Sequence, residues 1–337
     1  MPARKTRGRR KKLQTPRQWL IGGAALLLFA GLYLLHINPQ WTARLPGGEQ
    51  ISAVLAELYG DGELSPQPLF PDGTAQELPE GQFELHMIDV GQALSVLLRA
   101  PDGECALIDA GNRGDEERIC PYLKSLGLER LDYLIATHMH ADHIGGMDEV
   151  VKEFSIGRVI LPDTPEEITP TTKSYTDLLS AISDKGYRIT LAKPGAKYPL
   201  GKAQLSILGP VQDYEDLNNT SVVTRVDYGA VSFLVTGDAE KTAEQDMLDS
   251  RRVQPANVLI AGHHGSSTAS SAAFLSAVRP AYIGISCGEG NSYGHPHKEA
   301  IERMQKIGST ILRTDLYGTV IFYTDGQALG AQVERNS

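Results

Sequence analysis

Three histidines and an aspartate fall within six positions in Thr137-His138-Met139-His140-Ala141-Asp142-His143, directly after the apolar run at residues 131–136. Imidazole and carboxylate are ligands for zinc and its first-row neighbours. Side-chain alternation lets His138 and His140 aim at one ion while Asp142 and His143 aim at a second. Four such groups at the mouth of one buried strand predict a hydrolase that works with two divalent ions. Seven of the nine histidines sit in three places: His138, His140 and His143; His263 and His264; His295 and His297. Strand-like runs at 256–261 and 281–285 precede the second and third groups, so distant stretches of chain can deliver their ends to one centre. His86 and His36 fall outside these groups and read as hydrogen-bonded core histidines.

Two ions that share a water lower its pKa toward about 7 and supply hydroxide at neutral pH. The same charges stabilise the attacked centre and the leaving oxygen, which suits an anionic phosphodiester. Ser266, Ser267, Thr268 and Asn219 offer hydrogen bonds to its oxygens, and His264 or His295 offers a proton to the leaving group. The hydroxyl residues have a second reading, as a helix cap before Ala272. Asp109 reads as a residue that orients the ligand loop. Cys105, Cys120 and Cys287 follow no zinc spacing and are odd in number, so they read as buried small residues.

The elements that must position these groups begin at Phe83. Strand-like runs lie at 83–89, 94–99, 105–108, 131–136, 157–161, 188–191, 203–208, 221–226, 230–236, 256–261, 281–285, 310–313 and 318–323. Helical patterns lie at 115–126, 144–154, 173–185, 239–250, 270–278 and 297–307. Such interleaving predicts one layered α/β domain over residues 83–325, with 326–337 a polar, flexible tail.

The beginning of the chain has another character. Residues 1–18 hold eight basic residues and no acid, and residues 19–37 carry no charge. Nineteen helical residues span about 28 Å, close to the roughly 30 Å of a bilayer's hydrocarbon core. These features predict one transmembrane helix at 19–37, with the basic tail cytoplasmic and the rest extracellular at the cell membrane. A cleaved signal peptide is the alternative, against which stand the length of the apolar run and the bulky Trp41. Residues 38–82, with six prolines and six glycines, read as a tether. It contains one short helical pattern, Ile51, Val54, Leu55 and Leu58.

His138-Met139-His140-Ala141-Asp142-His143 is similar to the HxHxDH signature of the metallo-β-lactamase fold superfamily. Other pieces of that pattern follow in order: Leu107-Ile108-Asp109-Ala110-Gly111, Val235-Thr236-Gly237-Asp238-Ala239-Glu240 and Gly262-His263-His264-Gly265-Ser266. More narrowly, Ile88-Asp89-Val90-Gly91-Gln92, Asn218-Asn219-Thr220-Ser221 and Tyr293-Gly294-His295-Pro296-His297 resemble the hydrolase domain of ComEC-type DNA-uptake competence proteins. The resemblance covers roughly residues 83–325 and implies an αββα sandwich with a metal site at one edge of its two sheets. It also implies a ligand scheme: His138 and His140 on the first ion, Asp142 and His143 on the second, and Asp238 bridging both. His263, directly after Gly262, is taken as the second ion's further ligand, and zinc or manganese as the metal. Two departures stand out. Asn218-Asn219 occupies the place where many members carry another first-site histidine, and Gln92-Ala93-Leu94-Ser95 lacks an acidic group usual there.

After residue 18 the chain has 24 basic residues against 41 acidic ones, a net charge of about −17. Duplex DNA is normally held by basic surface, so a local groove or a small substrate is required. Lys298, Arg303, Lys306 and Arg313 are the candidates for such a groove. The favoured reading is a membrane-anchored phosphodiesterase or DNA nuclease. The alternative is hydrolysis of a small or cell-envelope ester, such as a phosphoester, a lactone or a β-lactam, and a third reading is a binding module that does no chemistry.

Overall fold

The computed structural model describes residues 80–335 together with Gln67, Pro68 and Leu78. The basic tail, the 19–37 span and the helical pattern at 51–58 lie outside the described residues. Among the described residues no helix is long and apolar enough to cross a membrane.

Two sheets face each other. The first has nine strands: β1 (Gln67–Pro68), β2 (Phe83–Met87), β3 (Val96–Arg99), β4 (Cys105–Ile108), β5 (Arg130–Ile135), β6 (Ser155–Leu161), β7 (Ile189–Leu191), β15 (Val320–Thr324) and β16 (Leu329–Val333), in spatial order β1-β16-β15-β2-β3-β4-β5-β6-β7. The second runs β14 (Thr310–Arg313), β13 (Tyr282–Ile285), β12 (Val258–Ile260), β11 (Val231–Val235), β10 (Val223–Tyr228), β9 (Ala203–Gly209) and β8 (Lys197–Leu200). In each sheet a parallel half adjoins an antiparallel one. Helices α1 (Glu116–Ser125), α2 (Ala141–Ile144), α3 (Met147–Glu153) and α4 (Lys173–Asp184) fall between strands of the first sheet. α5 (Lys241–Asp249), α6 (Ala272–Val278) and α7 (Lys298–Lys306) fall between strands of the second, and the short α8 (Thr314–Tyr317) precedes β15.

Side-chain alternation builds three apolar layers from this order. Phe83, Leu85 and Met87 of β2 point between the sheets, where they meet Phe233, Val258, Ile260 and Tyr282 of the second. Leu97, Leu107 and Leu134 point outward under Ile119, Leu123, Val150 and Leu178 of α1, α3 and α4. Leu259 and Ile283 do the same under Met247, Phe274 and Met304 of α5, α6 and α7. This is the αββα sandwich that the resemblance implies. Phe233 is fully buried at the centre with its ring 5.6 Å from that of Phe83. Its truncation to Ala costs about 3–5 kcal/mol at such a site.

Three strands differ from the sequence reading. Residues 329–333, assigned to a flexible tail, form β16, whose Ala331 and Val333 enter the inter-sheet core. Pairing with β15 supplies the ladder that five residues of mixed polarity cannot advertise alone. β1, inside the presumed tether, pairs in parallel with β16. β8 escaped notice because it is an edge strand with exposed residues and Pro199, which an edge tolerates.

Candidate metal centre

Asp109 follows β4 with no exposure and a φ of 59°, a left-handed conformation that costs a non-glycine residue roughly 1–2 kcal/mol. What the conformation secures is a buried carboxylate with every partner in place. Thr137, at the end of β5, donates its backbone N–H to Asp109 Oδ1 at 2.7 Å and its hydroxyl to Oδ2 at 2.6 Å. His143 of α2 donates Nδ1–H to the same Oδ2 at 2.7 Å, which turns its Nε2 to within 3.2 Å of Asp238 Oδ1. α2 itself is docked by backbone bonds from Ala110 N to His143 O and from Gly145 N to Gly111 O. A side chain at Gly145 would run into the backbone of Asn112 and Arg113.

The second sheet supplies the opposite wall. Asp238 follows β11 through Gly237, whose φ is 54° and whose missing Cβ leaves room for Thr137. Asp238 N donates to Ser221 Oγ at 3.0 Å, and Val222 N donates to Thr137 O at 2.8 Å, which ties the two sheets together at the site. After β12 the chain makes a tight turn in which His263 and His264 are both left-handed, with φ of 51° and 53°. That turn sends the adjacent rings different ways. His264 donates Nδ1–H to Ser286 O at 2.9 Å and brings Nε2 to 3.3 Å from Asp142 Oδ2 and 3.8 Å from Asp238 Oδ2. His263 gives Nδ1–H to Glu240 Oε1 at 2.9 Å, with Nε2 3.8 Å from Asp238 Oδ2.

Donor atoms of Asp142, His143, Asp238 and His264 therefore lie within 4.8 Å of one another. Beside them His138 Nε2 and His140 Nδ1 stand 2.9 Å apart, and His138 Nε2 is 3.9 Å from Asp238 Oδ2. His143 Nε2, His264 Nε2 and Asp238 Oδ1 are buried without a hydrogen-bond partner. Each such atom costs about 1–3 kcal/mol unless something fills the space between them, and nitrogen and carboxylate donors so arranged fit a divalent cation. The electrostatics agree. Burial would strip the charge from His143, but the Asp238 and Asp109 carboxylates outweigh it and hold the imidazolium well above its ordinary range. Burial opposes ionisation of Asp238 too, yet His143 and His264 hold its carboxyl well below the usual value. His138, buried beside His143, is pushed well down and stays neutral. This is a pocket that draws positive charge.

His138, His140, Asp142, His143 and Asp238 come together as read from the sequence, and Asp109 orients the loop. The pair at 263–264 resolves differently from the sequence reading: His264, not His263, joins the compact group. Adjacent residues in a left-handed turn point apart, and nothing in a His-His dipeptide says which ring faces in. A cavity of about 290 Å³ opens over the group, lined by Gln92, His140, Asp142, Asn218, His263 and Tyr293 among others. His295 also lines it, and burial together with nearby His263 pushes its pKa down to about 4.

The substrate-binding residues read from the sequence lie outside that lining. Asn219 is buried, its Oδ1 accepts from Glu240 N and Ala243 N, and its Nδ2 donates to Asp216 Oδ2 at 2.8 Å, so it caps α5 rather than facing the cavity. Ser266 bonds Thr268 within its own turn, and Ser267 donates its backbone N–H to His297 Nδ1. Asn218, one residue earlier, lines the cavity instead and reaches Glu240 Oε1 at 3.3 Å. Of the four basic groove candidates, Arg303 donates to the carbonyls of Ser267, Ala269 and Ser270, and Arg313 pairs with Asp315. Lys298 faces Glu302 across one helical turn. Cys105, Cys120 and Cys287 are free and buried.

ComE operon protein 3 of Bacillus subtilis (strain 168) is 31% identical to this chain over 255 residues, which cover 70% of the chain and 32% of that protein. Competence protein ComA of Neisseria gonorrhoeae is 32% identical over 253 residues, 73% of the chain and 33% of that protein. The chain thus spans about a third of the length of these curated relatives. Among solved structures, the metallo-beta-lactamase fold protein YhfI from Bacillus subtilis aligns with a TM-score of 0.49 at 12% identity, over 72% of this chain and 100% of that one. Residues 88–282, more than half of the chain, match the family described as the Metallo-beta-lactamase superfamily. They contain the Asp109–Thr137–His143 scaffold, Asp142, Asp238 and His264, and the chain belongs to that superfamily.

Proposed function

We propose that this chain is a metal-dependent phosphodiesterase or nuclease that uses two divalent ions, zinc or manganese. The observation that carries the reading is the convergence of His143 Nε2, His264 Nε2 and Asp238 Oδ1, all buried and unpartnered, on the carboxylate of Asp142. His138 and His140 would hold one ion, Asp142, His143 and His264 the other, and Asp238 both. When bound, such ions acidify a water and offset the charge of phosphoryl oxygens. The protein's own residues do the rest. Asp109 and the Ser286 carbonyl hold His143 and His264 at Nδ1, so that both rings present Nε2 inward. Gln92 and Asn218 offer amide donors from the cavity wall. His263, backed by Glu240 at Nδ1, is the residue we assign to protonate the leaving oxygen from Nε2. His295, with its pKa near 4, is neutral at pH 7 and so is not the acid that protonates the leaving oxygen.

The resemblance of the motifs at 88–92, 218–221 and 293–297 to DNA-uptake competence proteins, together with a relative named as a competence protein, supports DNA or a related phosphodiester as substrate. The net charge of about −17 after residue 18 supports the second reading, a small or cell-envelope ester. The deciding experiment takes the purified full-length protein through elemental analysis. It is then assayed on single-stranded DNA, a bis-aryl phosphodiester, a lactone and a β-lactam, with and without chelator. The reading expects near-stoichiometric metal and chelator-sensitive phosphodiester cleavage. No more than trace metal after reconstitution overturns it, and turnover of lactone or β-lactam far above any phosphodiester selects the second reading. We further propose that residues 19–37 anchor the chain with residues 38–337 outside the cell. Protease added to intact cells then removes the catalytic domain, and protection of that domain beside a digested extracellular control reverses the orientation.

A further inference from the structure

We propose that Tyr293 is a stacking platform for a nucleobase adjoining the phosphodiester bond that is cut. The proposal rests on the phosphodiesterase reading of the same site. Tyr293 lines the cavity over Asp142, Asp238 and His264, yet it is 68% exposed, the most exposed large apolar side chain among the described residues. One face of its ring lies against His295, with centroids 5.7 Å apart and planes 22° from parallel. His295 in turn lies 6.3 Å from the His264 ring at 22°. Three rings therefore run from the centre to the cavity wall, each tilted 22° from the next, and most of the last one is exposed. A flat π-surface that arrives there extends the series.

The loop that carries the ring is held in place before any ligand arrives. Asn291 donates Nδ2 to the carbonyls of Gly288 and His295, and its Oδ1 accepts from the N–H groups of Tyr293 and His295. Gln92 Nε2 lies 3.3 Å from His295 Nδ1 and fixes the ring beneath Tyr293. Preorganisation of this kind lowers the entropic cost of binding.

Stacking also answers the charge problem. A chain with a net charge of about −17 after residue 18, and with Arg303 and Arg313 committed to internal contacts, gains little affinity from phosphate neutralisation. Base stacking needs no positive charge and tolerates any sequence, because every base has a π-face. It does need the base unpaired. The substrate class is therefore a single strand or a frayed end.

The test compares a thymidine octamer with an abasic octamer of the same phosphate count. Binding to the full-length protein is measured by calorimetry in chelator, and cleavage of both is measured with metal present. Wild type should bind the thymidine strand roughly tenfold more tightly than the abasic one. Tyr293→Ala should abolish that ratio, while Tyr293→Trp and Tyr293→Phe keep it, a pattern that general damage to the loop does not produce. A ratio near one in the wild type, or a full ratio in Tyr293→Ala, overturns the proposal. A Tyr293-dependent ratio without cleavage under any metal leaves the platform standing and overturns the phosphodiesterase reading. Cleavage without the ratio does the reverse.

Discussion

His86 and His143 are the same residue type, each almost wholly buried and each bonded to a carboxylate, yet they belong to different kinds of region. His86, on β2, has both nitrogens engaged: Nε2 with Glu84 Oε2 at 2.8 Å and Nδ1 with the Tyr122 hydroxyl at 2.7 Å. His143 has Nδ1 on Asp109 and leaves Nε2 without a hydrogen bond in front of Asp238. Around His86 the Glu84 carboxylate is balanced by Arg99, 3.4 Å away. Around His143 the carboxylates of Asp109, Asp142 and Asp238 gather with no arginine or lysine among the ion pairs they make in the described residues. Burial and a carboxylate partner are thus common to scaffold and site. The second nitrogen, and carboxylates paired only with histidines rather than with a permanent cation, separate them.

The contrast is broken most severely at Asp238. Asp238→Ala should abolish metal retention and lower hydrolysis roughly a thousandfold or more, as loss of a charged group at a reaction centre commonly does. Elemental analysis alongside the phosphodiester assay checks it, and retention of full metal content by the variant removes Asp238 from the site. Asp109→Asn leaves a partner for His143 but weakens its orientation, and metal affinity should fall about 10- to 100-fold with the fold intact. Competition with a chromophoric chelator measures that loss.

The scaffold side should respond in the other currency. His86→Leu strands the Tyr122 hydroxyl and leaves the buried Glu84 carboxylate with Arg99 alone, so unfolding by urea should show a loss of about 1–3 kcal/mol while metal content stays unchanged. Loss of metal in this variant would erase the distinction. Glu84 sharpens it through pH. Burial pushes its carboxyl up, but the bonds and charges of His86 and Arg99 outweigh burial and hold it below its ordinary value of 4.5. A depressed carboxylate stabilises the fold above its unfolded pKa, and that contribution fades as pH falls through the folded one. The stability gap between wild type and Glu84→Gln should be full at neutral pH and shrink progressively below about 4.5. A gap that widens in acid contradicts the assignment. Lys298→Ala, which removes an exposed pair with Glu302, should change stability by less than about 0.5 kcal/mol.

Periodicity and ligand chemistry were legible in the sequence because each is local. Alternation in β2, where Phe83, Leu85 and Met87 interleave with Glu84 and His86, marks the face that enters the core, and the short apolar runs of β3 and β4 mark strands buried on both faces. The segment from His138 to His143 carries two histidines and an aspartate–histidine pair of metal-ligand chemistry in one strand-to-helix turn, and Asp238 follows its own strand through a glycine that only a close approach requires. Tertiary structure decided the choices that depend on neighbours. His264 faces the centre because two successive left-handed residues turn the rings apart and the Ser286 carbonyl and Glu240 each claim one Nδ1. Asn219 caps α5 and Asn218 faces the cavity, a one-residue distinction in a turn that only packing against Glu240 and Ala243 makes. β16 is a strand because β15 and β1 flank it, since a short run of mixed polarity has no period of its own until hydrogen-bonding partners set its register.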